Sequence, residues 1–127
     1  MYIGLRALLL ACVLLATAAT AGYAADRCDV QALASHFSVP VEIVEQSSIS
    51  EIEQMNLKKI EVDGREEDVP FGHINYLWEE LKALYKEGDC LAFFNSAPET
   101  WKALAGVRGY LLARDGTPIY AVITMLN

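Results

Sequence analysis

Three cysteines, two histidines and a short run of carboxylates are the residues of this chain best placed to do chemistry. Cys28 and Cys90 lack the C-x-x-C spacing that lowers a thiol pKa, so a redox-active pair is not indicated. In an exported chain they make an even pair, and a disulfide between them is predicted once Cys12 leaves with the N-terminal segment. His36 and His73 are far apart and belong to no H-E-x-x-H or similar spacing, so they read as surface or cap residues, not metal ligands.

The acidic stretch Asp63–Asp68 (DGREED) lacks the D-x-[DN]-x-[DN]-G ladder of a calcium loop. It reads as a solvated charge run on an exposed loop or edge strand. Ser47, Ser48 and Ser50 fall in a turn-like cluster with nothing to mark a nucleophile. There is no G-x-S-x-G, P-loop or dinucleotide fingerprint, and no cofactor is expected. Paired carboxylates of the glycosidase kind meet in space and not in sequence, and seventeen acidic residues single out no pair. Trp78 and Trp101 lie on apolar helical faces, where core packing is the default. Either would become an interface anchor if its face were exposed. The candidate interface residues are therefore Trp78, Trp101, Glu66, Glu67 and Asp68.

The segments that must position these residues begin after an address. Arg6 precedes the apolar run Ala7–Ala16, and small residues follow from Thr17 to Ala25, the layout of a secretory signal peptide. Cleavage after Ala24 places Gly22 and Ala24 at the small-residue positions, giving a signal peptide over 1–24 and one domain over 25–127. Two rivals are weaker. A retained anchor would need Leu and Ile where Ala, Thr and Gly stand, and a lipid-anchored start at Cys12 would lie too close to Arg6.

Of ten basic residues only Arg6 lies in that segment, leaving nine against seventeen acidic, a net charge of about −8. So acidic a domain with no basic stripe is repelled by nucleic acid and by anionic lipid, which excludes both as main partners. A basic protein is favoured in approach rate.

Asp29–Phe37 has helical spacing ended by Pro40, and Val41–Gln46 suits a strand. Ser50-Glu51-Ile52-Glu53 matches a capping box. Leu57–Val62 resumes strand character before the turn pair Asp63-Gly64. Phe71–Glu87 carries an apolar stripe of Ile74, Leu77, Trp78, Leu81, Leu84 and Tyr85 and predicts the longest helix. Cys90–Asn95 predicts a strand. Ser96-Ala97-Pro98-Glu99 predicts a capped helix that stops at Gly106. A hairpin turning at Asp115-Gly116 completes the chain, with Pro118 facing outward or beside a bulge. The return strand Ile119–Met125 is almost wholly apolar, the pattern of a strand covered on both faces, which predicts a central position.

The order predicts a small α+β domain, with helices on one face of a mainly antiparallel sheet and a C-terminal β-hairpin. The functional expectation is an exported, disulfide-bonded, non-catalytic domain that binds another macromolecule. An inhibitor or accessory protein of a basic exported partner is its concrete form. The alternative is a small hydrolase or ligand-binding domain whose site assembles from separated residues.

Overall fold

The computed structural model describes residues 27–127. The expected signal peptide, Cys12 and the expected cleavage position lie outside them. Helix α1 (Val30–Ala34) leads to β1 (Val41–Glu45), α2 (Ile49–Met55) and the hairpin β2 (Leu57–Val62) and β3 (Arg65–Pro70). A 3-10 turn (Gly72–Ile74) opens α3 (Asn75–Leu84), and β4 (Cys90–Ser96), α4 (Pro98–Lys102), β5 (Val107–Arg114) and β6 (Thr117–Leu126) follow. Four strands form an antiparallel sheet in the order β1-β4-β5-β6, and β2 and β3 pair separately. The α+β fold and the C-terminal hairpin are as the sequence predicts.

Alternation along β4 and β5 sends side chains to two cores, one on each face of the sheet. Leu91, Tyr110, Leu112 and Val122 point to an aromatic face, where Ile52 of α2, Phe71 and Trp78 and Leu81 of α3 cover them. Cys90, Ala92, Phe94, Leu111 and Ala113 point the other way, beneath Leu33 of α1, Phe37 and Cys28. Phe71 packs against Trp78 and Tyr110 at centroid distances of 4.9 and 5.5 Å, and Phe37 against Phe94 at 5.0 Å. The longest helix thus sits on one face as expected, and the first helix adds a small cover to the other.

Both Asp-Gly pairs turn their hairpins with positive φ at each residue, 52° and 80° at Asp63-Gly64 and 53° and 76° at Asp115-Gly116. That is the type I′ signature, whose twist matches the strands it joins. A register shift between Leu112 and Ala113 leaves Ile119 unmatched beside Pro118, the bulge that a missing N–H invites.

Several expectations are corrected. The cap of α2 is Ser48, whose Oγ accepts from the Glu51 N–H at 3.1 Å, so the box starts two residues before Ser50. Ser96 does not cap α4, which starts after Ala97 with no side-chain cap. Its hydroxyl stays in the sheet, accepting from Val107 N–H at 2.8 Å and donating to Val107 C=O at 3.0 Å. Gly106 is not the helix stop. Leu104 takes the left-handed position (φ 60°), with Leu104 N–H on Trp101 C=O and Ala105 N–H on Thr100 C=O, a Schellman arrangement with leucine where glycine is usual. Gly106 is needed for a different reason: a Cβ there would stand 2.1 Å from the Trp101 ring.

The longest helix is shorter than predicted. Phe71 and Gly72 both take left-handed φ (63° and 58°), which blocks an α-helical start, and Tyr85 is already extended. The last correction concerns β6. It forms an edge of the sheet and is not central, and β4 and β5 hold the interior.

Candidate functional site

At the base of the aromatic face, the sheet, the β2–β3 hairpin and the 3-10 turn enclose a groove of about 300 Å³. Its floor is Phe71, Phe93 and Tyr110, its rim Met125 and Ile74, and its polar groups Asn56, Lys58, Arg108 and Thr124. These residues come from separated parts of the chain, and the fold assembles them by specific contacts. Phe71 N–H donates to Asn56 C=O at 2.8 Å, which holds the strained Phe71 backbone and turns its ring inward. Asn56 Nδ2 donates to Ile52 C=O at 2.7 Å and to the Tyr110 hydroxyl at 2.9 Å. Because that hydroxyl accepts from Asn56, its own proton is free to be donated into the groove.

The groove also departs from the charge of the chain. It is lined by two cations and no carboxylate, in a protein with many more acids than bases. Neither Lys58 nor half-buried Arg108 forms an ion pair among the described residues. An apolar floor with cationic and O–H donors at its edge suits a small amphipathic anion.

Above the groove the hairpin carries the acidic run in β3. Lys58 and Ile60 lie against Gly72, so the pleat turns Lys59, Glu61, Glu66 and Asp68 the other way, and Glu67 shares the side of Ile60. The three predicted acids are exposed but do not act as one patch: Glu66 and Asp68 share a face and Glu67 does not. Lys59 pairs loosely with Asp68 at 3.8 Å, and Glu61 stands directly opposite Glu66.

A second cavity of about 310 Å³ lies at the other end of the sheet, lined by Arg27, Glu45, Gln46, Ser47, Tyr85, Asp89 and Leu91. Its two carboxylates are already engaged. Glu45 accepts from Arg27 N–H at 3.0 Å. Buried Asp89 accepts from Arg114 Nε at 2.7 Å, from its terminal nitrogen at 2.6 Å and from Lys86 N–H at 2.8 Å. The Arg114 hydrogen bonds, opposed by burial and aided by the Lys86 amide, hold the Asp89 carboxyl below its usual range. This is a structural clamp. Arg114 also donates to Leu84 C=O at 3.2 Å and so ties the end of α3 to the sheet.

The remaining predicted residues are placed as follows. Cys28 and Cys90 are disulfide-bonded, with Cα atoms 5.0 Å apart. Trp78 is fully buried and presents no interface. Its indole donates to Glu53 at 3.1 Å, and Lys82 reaches the same carboxylate at 3.2 Å. Burial disfavours the Lys82 charge, but hydrogen bonds to Glu79 and Glu53 outweigh it and raise its pKa. Trp101 is half-buried over Gly106, its indole donating to Asn95 at 2.9 Å. His36 and His73 are both exposed, on the covers of opposite faces. Among the described residues no His, Cys, Asp or Glu cluster is arranged to hold a metal, and no helix is long and apolar enough to cross a membrane.

Sequence reasoning missed the groove residues. The signal available was the pair of consecutive positions Phe71-Gly72 after Pro70, a break at the head of a strong helical stripe. Comparison with protein-family models, with curated proteins and with solved structures finds no match to this chain.

Proposed function

We propose that this protein is an exported, non-catalytic domain that binds another macromolecule, a basic protein, and serves as its inhibitor or accessory. The observation that carries this reading is the cross-strand pair Glu61 and Glu66 on the exposed side of the hairpin, with Asp68 beside it. Like charges directly opposite one another destabilise a hairpin. A cation supplied by a partner removes that repulsion and adds attraction, which favours specificity and fast encounter. The N-terminal pattern and the disulfide support export.

A second reading rests on the groove. An amphipathic anion would lay its apolar part on Phe71, Phe93 and Tyr110 and its charged head toward Arg108 and Lys58, making the protein a small-ligand binder.

One pair of charge variants tests both. In affinity capture from the native envelope and culture fluid, the protein should retain a stoichiometric basic partner that is lost as salt rises and lost in E61K/E66K. In titrations with octanoate followed by amide shifts, R108Q should abolish any saturable response, and E61K/E66K should leave it intact. No partner, or a partner held equally by E61K/E66K, would overturn the first reading. An octanoate response unchanged by R108Q, or no response, would overturn the second.

A further inference from the structure

Strand β6 is at once the longest strand and an edge, and no described residue pairs with its outer side. Its sequence, TPIYAVITML, contains no charged residue. Natural edge strands are normally shielded by charge, proline, bulges or short length. The opposite edge, β1, follows that rule: it is five residues long and carries exposed Glu42 and Glu45. On β6 the protection is confined to the ends. Pro118 and the unmatched Ile119 lie at one end, and a second register shift around Thr124 at the other, leaving Tyr120–Ile123 in regular pairing with β5.

Most of the exposed apolar side chains fall on one side. Ala121 pairs with Leu111 and Leu126 with Val107, both partners on the disulfide face, and Ile119 and Ile123 share that face by alternation. Ile119, Ile123 and Leu126 are 37%, 36% and 70% exposed. The other side is largely occupied: Val122 is buried and the Tyr120 hydroxyl bonds Glu80, with exposed Met125 left at the groove rim.

We infer that the outer edge of β6 pairs antiparallel with β6 of a second copy, joining two four-stranded sheets into one of eight. The charge pattern selects that occupant. A basic partner would be read by carboxylates, and β6 has none. A copy of this chain carries the same net negative charge, and no charged residue of this strand adds to that repulsion. Self-pairing at β1 would instead crowd the Glu42 and Glu45 carboxylates of both copies onto one short seam. Antiparallel pairing of a strand with itself is isologous, so one uncharged strand supplies both halves of the interface. It also accounts for a composition that reads as an interior strand: in the dimer β6 is interior.

The test is sedimentation equilibrium of the oxidised protein, produced with its own N-terminal segment and purified after export, over a range of micromolar concentrations. The expected result is a dimer with a concentration-dependent melting temperature. I119K/I123K places lysines on the exposed face and should weaken self-association about ten-fold or more, with the far-UV dichroism of the folded protein retained. E42K/E45K, on the other edge, should leave the dimer intact. A monomer at every concentration would overturn the inference. So would a dimer indifferent to I119K/I123K, or a β6 edge occupied by a different protein and not by a second copy.

Discussion

On the disulfide face of the sheet the cover is a five-residue helix, whereas on the aromatic face it is a ten-residue helix with two further segments. A helix as short as α1 does not persist on its own in water, because nucleation costs more than so few bonds return. It has an Asp29 cap, whose side chain accepts from Ala32 N–H at 3.1 Å, and only Leu33 fully buried. The Cys28–Cys90 bond holds the chain just before it to β4. The aromatic face needs no covalent tie, since Trp78, Leu81, Phe71 and Ile52 are all buried there, and a polar clamp from Asp89 to Arg114 fixes the end of α3. The two anchors are neighbours at the head of β4, Asp89 just before the strand for one face and Cys90 at its first residue for the other. A small cover is held by a bond sensitive to redox state, and a large one by packing plus an ion pair sensitive to pH.

The sharpest way to break this contrast is to remove the disulfide. C28A/C90A should lose about 4 kcal/mol of unfolding free energy by the chain-entropy relation for a 62-residue separation, measured by urea denaturation. Hydrogen exchange should show α1 opening first, with α3 still protected. Loss of protection in α3 before α1 would mean that the covers are not independent. Next in size, Leu33→Ala should cost about 3 kcal/mol in the oxidised protein, as a buried leucine truncation does. In the C28A/C90A background the same change should cost clearly less, because the helix it belongs to is already loosened. Equal costs in both backgrounds would show that α1 holds its place without the disulfide.

The smallest effect at neutral pH belongs to the clamp. Hydrogen bonds from Arg114 depress the Asp89 pKa in the folded state. Its contribution to stability is therefore complete above the ordinary value of about 3.8 and is lost as pH falls through the lower folded value. Arg114→Met should lower the melting temperature modestly at pH 7 and lose less than the parent protein on acidification below about pH 4. Adding reductant should not alter that difference. A parallel acid limb in both proteins would remove the clamp from the account.

Much of this arrangement could be read from the chain alone. The two Asp-Gly turns need positive φ at adjacent residues, and few other pairs accept it, so their hairpins followed from composition. The disulfide followed from there being two cysteines in the predicted mature chain. The apolar stripe of α3 identified Trp78 and Leu81 as core. Cap positions were read less well. Ser48 and Ser50 both suit a cap by type, and the helix is capped by Ser48, so that Ile49 and buried Ile52 stand three residues apart against the core. Ser96 resembles a cap, yet Val107, eleven residues on, competes successfully for its hydroxyl.

The candidate sites were less legible still. Nothing local distinguishes Arg108 from any other arginine. It becomes notable only because β5 sets it beside Lys58, Phe71 and Tyr110 with no carboxylate at hand. The run Glu66-Glu67-Asp68 looks like one acidic patch in sequence, but the strand pleat divides it and pairing brings in Glu61 instead.

Turn chemistry, hydrophobic period and cysteine count act within one element or on the whole composition, so they decided the elements, the fold class and the covalent tie before any packing was known. The edge position of β6, the two-faced core, the left-handed Phe71 and the cationic groove depend on which distant segments meet. Those choices come from competition among pairings in three dimensions, and a strand rich in apolar residues declares that it wants neighbours without saying which chain supplies them.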